Sequence, residues 1–176
     1  MPYIAALDDN AIPSIDPTAW LAPTAVVVGQ VTLGPRVNIW YNSVLRADDE
    51  RIEIGADSNI QDLCCLHADP GYPAILEPRV SVGHKATIHG AHIESGALIG
   101  IGAILLNGSR IGAGTLIAAG SVVTPGTHIP SGVLAAGTPA RPLRDLTDSD
   151  QASFAQTPDR YISKASRHQA AEVHDR

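Results

Sequence analysis

The chain has 176 residues, 44% apolar and only 17% charged, enough for one domain with a sizeable core. Its net charge of −6 argues against nucleic-acid or lipid-surface binding, both of which need clustered Lys and Arg. No apolar run approaches the roughly 18 residues of a membrane span, and MPYIAALDDNAIP lacks the basic-then-apolar order of a signal peptide. Val, Ile, Leu and Ala dominate the apolar set, with one Phe, while 16 Gly and 13 Pro are spread along the chain. That composition predicts many short strands joined by tight corners.

In chain order, a six-residue beat starts with LGPRVN at Leu33 and IWYNSV at Ile39. It is interrupted at Asp48–Arg51 and resumes with IGADSN at Ile54 and IQDLCC at Ile60. The adjacent Cys64 and Cys65 read as small buried apolar side chains in a reducing cytoplasm, not as a disulfide framework. A second interruption at Ala68–Ile75 precedes VGHKAT at Val82. Seven units then follow without slip, from IESGAL at Ile93 to IPSGVL at Ile129, and all have Gly at the fourth place. Six residues fit a short strand and a corner, with the aliphatic residue inward and the small residues at the bend. Three units close a triangular turn, and stacked turns about 4.8 Å apart pair their backbones. So narrow a prism excludes bulky aromatics, which accounts for the scarcity of Phe.

The repeat ends near residue 145, dividing the chain into a prism domain at 1–145 and a helical segment at 146–176. A helix is expected from about 158 to 172, packed along the prism. Thr157 is its expected N-cap, with Pro158 in the first turn. An N-terminal segment or a partner is expected to cover the open end rungs.

His84 and His89 are five apart, so neither a helix nor one strand lets them share an ion. Counted at three units per turn, however, Leu45, Leu66 and Ile88 share a column. Arg46, His67 and His89 each follow one of these residues and should stack on one corner edge, close enough for the two histidines to hold one ion. His84 falls on the adjacent column, with Gln61 one rung below. It could reach that ion only from a second prism. Three copies about a threefold axis would bring it to the neighbour's pair. Three histidines with an open fourth position make a catalytic zinc site. His92, His128, His168 and His174 read as surface residues, and Asn59 as a residue that satisfies corner backbone. Arg46 with Asp48 reads as an ordinary surface ion pair, and Gln61 and Asp62 as residues that satisfy corner backbone.

The repeat resembles that of hexapeptide proteins, which implies a mainly β, left-handed parallel β-helix with a C-terminal α-helix. VLRADDERIEIG, SNIQDLCCLH, VGHKATIHGAHI and IGIGAILLNGSRIG closely resemble γ-class carbonic anhydrases over about residues 10 to 145. The resemblance implies zinc (Fe2+ or Co2+ as alternatives) bound by His67 and His89 of one chain and His84 of its neighbour in a homotrimer. It implies an Arg46–Asp48 ion pair at the subunit contact, Gln61 and Asp62 at the site, and a match of Tyr161 to a family tyrosine, with Ser163 where some members have asparagine. Ala47 stands where the family commonly has glycine. Where highly active members carry a longer acidic loop with a proton-shuttling glutamate, this chain offers Glu50. The implied activity is reversible hydration of carbon dioxide to bicarbonate. A CoA-dependent acyltransferase, whose needs are a base histidine and a pantetheine groove, and a catalytically silent metal-binding trimer are the alternatives.

Overall fold

A computed structural model describes residues 1–9 and 11–171. The repeat folds as a left-handed parallel β-helix of three faces. The first face stacks Val26–Val28, Val44–Arg46, Cys65–His67, Thr87–His89, Ile104–Leu105 and Val122–Val123 in parallel register. The second carries Asn38–Ile39, Asn59–Ile60, Ser81–Val82, Leu98–Ile99 and Leu116–Ile117. The third carries Ile52–Ile54, Ala74–Leu76, His92–Ile93, Arg110–Ile111 and His128–Ile129. Val26–Leu33 and Val44–Ile54 run unbroken round one corner, which joins the first and third faces into one sheet.

Inside, Val27, Leu45, Leu66, Ile88, Leu105 and Val123 form a fully buried column. Burial of each such side chain stabilises the fold by roughly 1.5–3 kcal/mol. Among the described residues, no aromatic ring enters the prism core. The ends are covered as edge pairing requires: Tyr3–Ala5 pairs with Val26–Val28, and Ala140–Asp145 folds back antiparallel on Val133–Gly137.

The fourth-position glycines from Gly96 to Gly132 all hold a left-handed backbone, with φ between 61° and 70°. In the first half the same corners are turned by Arg36, Asn42, Asp57, Leu63, Arg79 and Lys85, all at positive φ. Gly102 needs only that conformation, because its surroundings are open. Gly100 needs space: a Cβ there would lie 2.5 Å from the Ala119 nitrogen on the next rung. Gly100→Ala is therefore expected to cost about 3 kcal/mol as overpacking against backbone, and Gly102→Ala about 1 kcal/mol as left-handed strain. Denaturant midpoints of the two variants check the order. Equal shifts would contradict it.

Among the described residues, two helices follow the prism, α1 (Asp148–Ala155) and α2 (Thr157–Gln169). The expected cap at Thr157 is not one. Gln156 is the N-cap of α2 and lends no side-chain hydrogen bond, and Thr157 already lies inside the helix, ahead of Pro158. The cap lies ten residues earlier. Thr147 Oγ1 accepts from Asp150 N at 3.1 Å and Asp150 Oδ2 accepts from Thr147 N at 2.9 Å, a reciprocal box that starts α1. Arg144 donates to both oxygens of Asp150, and these bonds with Thr147 hold that carboxyl well below its ordinary range.

Helix α2 lies on the second face, where Tyr161 and Ala165 pack on Trp40, beside Trp20 and Tyr41. Arg79 of the prism donates to both carboxylate oxygens of Asp159, at 3.2 and 3.0 Å, and fixes the start of α2. No helix among the described residues is long and apolar enough to cross a membrane.

Candidate metal centre

The strand register puts Arg46, His67 and His89 on consecutive rungs of one edge, Arg46 opposite His67 and His67 opposite His89. His67 Nδ1 and His89 Nε2 face each other at 3.2 Å. The protons on these rings follow from their other partners. His67 Nε2 lies 2.9 Å from Asp48 Oδ1, an acceptor, so Nε2 carries the proton and donates it. Asn107 Nδ2 donates to Asp69 Oδ2 at 2.8 Å, which turns Asn107 Oδ1 toward His89 Nδ1, also at 2.8 Å. Nδ1 of His89 is therefore its protonated nitrogen. Two bare lone pairs are left pointing at one another, and only a proton held on one ring or a metal ion can sit between them.

His84 lies elsewhere. It occupies the corner that precedes the Thr87–His89 strand, whereas His89 ends that strand, so the two stand at opposite ends of the first face. Its stacking partner is not Gln61 as expected. Val82 pairs with Ile60, which sets His84 over Asp62. His84 Nδ1 donates to Asp62 Oδ2 at 2.8 Å, and its free Nε2 accepts from the Tyr161 hydroxyl at 3.3 Å. Burial pushes that hydroxyl up to about 12, with the Asp62 and Cys64 charges adding to it, so it stays protonated and donates. All three motif histidines thus have the outer ring nitrogen bonded to a carboxylate or amide and the other left as a lone pair. That is the usual support of a metal-binding imidazole.

Arg46 and Asp48 form an ion pair on the exposed edge. Burial alone would raise the Asp48 carboxyl, but hydrogen bonds from Arg46 and His67 outweigh it and hold the group below its ordinary range. Asp48 therefore stays a carboxylate and keeps His67 in one tautomer. Ala47 is buried in the core without a left-handed backbone, so this strand does not need glycine there. The glycine is required opposite, where a Cβ on Gly29 would lie 2.1 Å from the Ala47 carbonyl oxygen.

Gln61 is buried and donates from Nε2 to Asn59 Oδ1 at 3.1 Å, while Asn59 donates to Ser81 Oγ at 2.8 Å. Asn59 is thus more than a corner residue: it fixes the Gln61 amide and leaves Oε1 as that side chain's acceptor. Glu50 is committed to Arg51 and to the Gly71 amide. Ser163 is exposed on α2. His92 is half-buried and paired with Glu77 at 3.1 Å, and His128 is exposed. His168 is exposed yet bonded to the Tyr41 hydroxyl at 2.9 Å, beside Trp40. His174 lies outside the described residues. Cys64 is buried as expected, and burial pushes its thiol up to about 12, so it is unreactive. Cys65 is exposed, contrary to expectation: Leu66 beside it points inward, so the strand turns Cys65 out.

Residues 90–125 match the family model of the bacterial transferase hexapeptide (six repeats). A Methanocaldococcus jannaschii protein named probable carbonic anhydrase is 50% identical over 142 residues, 81% of this chain and 89% of that one. The chain belongs to the γ-class carbonic anhydrase family. The mitochondrial gamma carbonic anhydrase 1 of Arabidopsis thaliana shares 38% identity with this member over 164 residues, 90% of this chain and 60% of the plant protein. Among solved structures, a hexapeptide transferase family protein from Anaplasma phagocytophilum superposes with a TM-score of 0.86 at 32% identity, covering 94% of this chain and 95% of that one.

Proposed function

We propose that the chain hydrates carbon dioxide reversibly to bicarbonate as a homotrimer, with zinc held between protomers by His67 and His89 of one copy and His84 of the next. One observation carries the reading: two imidazole lone pairs face each other at 3.2 Å, each ring locked in that tautomer by its outer partner. Imidazoles suit zinc, and a divalent ion here would supply the Lewis acidity that ionises a water near neutral pH.

The chain's own groups do the rest. Gln61, its Nε2 committed to Asn59, offers Oε1 to orient the reacting oxygen by accepting its proton in a hydrogen bond. Asp48 and Asp62 keep His67 and His84 from turning. Tyr161 guards the His84 lone pair and must release it when His84 reaches a neighbour. An exposed apolar strip adjoins His84 on its corner and runs onto the first face: Leu63 is 50% exposed, Ile101, one rung from His84, 55% and Ile104 36%. A second copy docked there would cover the strip and bring His84 to the facing pair, with Arg46 and Asp48 at the rim.

Stopped-flow hydration of carbon dioxide tests this on protein of measured metal content, beside His89→Ala. Wild type is expected to carry about one ion per chain and to turn over, and His89→Ala to lose both. Metal-loaded wild type no faster than the variant would defeat the hydration reading. Metal-free protein that binds acetyl-CoA would favour acyl transfer instead.

A further inference from the structure

The interruption at Ala68–Ile75 folds as a short loop that returns over the corner edge. Tyr72 N donates to Asp69 O at 2.8 Å, and Tyr72 lies against Gly90, where a Cβ would meet it at 2.8 Å. That close packing, with the Asn107 bond, sets the Asp69 carboxylate beside the histidine pair. Asp69 Oδ2 accepts from Asn107 Nδ2. Its Oδ1 lies 3.6 Å from His67 Nδ1 and 3.7 Å from His89 Nε2, too far for hydrogen bonds, and the tautomers above leave both nitrogens without a proton to give. Three electron-pair donors therefore converge. With the 3.2 Å between the nitrogens they form a nearly equilateral triangle, every corner about 2.0 Å from the centre, which matches zinc–nitrogen and zinc–oxygen distances of about 2.0–2.2 Å. Mutual repulsion of three acceptors is what a cation relieves.

We infer that Asp69 is a third metal ligand from the same chain, completing a two-histidine, one-carboxylate set with His67 and His89, and that Asn107 is the positioning residue for both His89 and Asp69. This rests on the metal reading above. It adds that one protomer can hold the ion before a neighbour's His84 arrives; with His84 the ion would have four protein donors, and the reacting water would take a fifth position, to which catalytic zinc can expand. A carboxylate among the donors also suits Fe2+ and Co2+ alongside zinc.

Co2+ titration of the full chain tests it, read by d–d absorption and by competition with a chromogenic chelator. Asp69→Asn, isosteric but uncharged, is expected to weaken Co2+ by more than tenfold and to alter the d–d spectrum. Asn107→Ala is expected to weaken it about tenfold, with a shifted spectrum. In a His84→Ala background only the same-chain donors remain. There Co2+ should still bind, and adding Asp69→Asn should abolish binding. Equal affinity and spectra for wild type and Asp69→Asn would overturn the ligand role and leave the histidine site standing. Wild type that binds neither Co2+ nor Zn2+ would overturn both.

Discussion

His84→Ala and His89→Ala, each inactive alone, are expected to recover about a quarter of wild-type carbon dioxide hydration when subunits are mixed one to one and reassembled. Each variant lacks a different side of a shared site. In His84→Ala, the chain's own His67 and His89 are intact but no neighbour supplies the third imidazole. In His89→Ala, the exported His84 is intact but the pair is broken. After random mixing, a given contact is complete when an intact pair meets an intact His84, about one contact in four. Two stacked rungs hold His67 beside His89, while His84 stands at the other end of the face, so no rotamer change within one chain substitutes for the neighbour. Mixtures as inactive as their components would mean that the site is not shared.

Trp40→Ala is expected to detach α2 at a cost of about 3–5 kcal/mol. Trp40 is buried at the centre of the socket, with Tyr161 edge-on at 5.2 Å, His168 at 4.9 Å and Trp20 at 5.0 Å. Its indole donates to Asn38 Oδ1 at 2.7 Å, so truncation also leaves a buried acceptor without that partner. The prism column does not include Trp40, so strand structure should persist while α2 becomes protease-sensitive and Tyr161 leaves His84. Trp20 is then the sole tryptophan and reports directly, its emission moving to the red as the socket opens. Unchanged emission and protease resistance would show that α2 is held by the Arg79–Asp159 pair and its other contacts instead.

The second half of the chain was legible because glycine marks every left-handed corner. In the first half larger residues such as Leu63 and Lys85 adopt the same backbone, so the corner could not be read from residue type. The column count placed Arg46, His67 and His89 correctly, since it depends only on strand register. At the corners it slipped by one residue, setting Gln61 instead of Asp62 beneath His84. Alternation along Cys65–His67 would have turned Cys65 outward, because Leu66 is a core position. Nothing in the repeat itself singles out Asn107, which sits at a corner like its counterparts in the other units. Carrying the count one rung beyond His89 brings that corner over the site. The aromatic socket had no periodic signal, being assembled from Trp20 on a strand, Trp40 and Tyr41 on one corner of the next turn, and a distant helix.

An anomalous-difference map from crystals grown with zinc tests the central claim most directly. The account predicts one peak at each contact between protomers, within bonding distance of His67 and His89 of one copy and His84 of the next. A peak bound by one chain with His84 far away, or zinc-saturated protein that crystallises and sediments as a monomer, would contradict it.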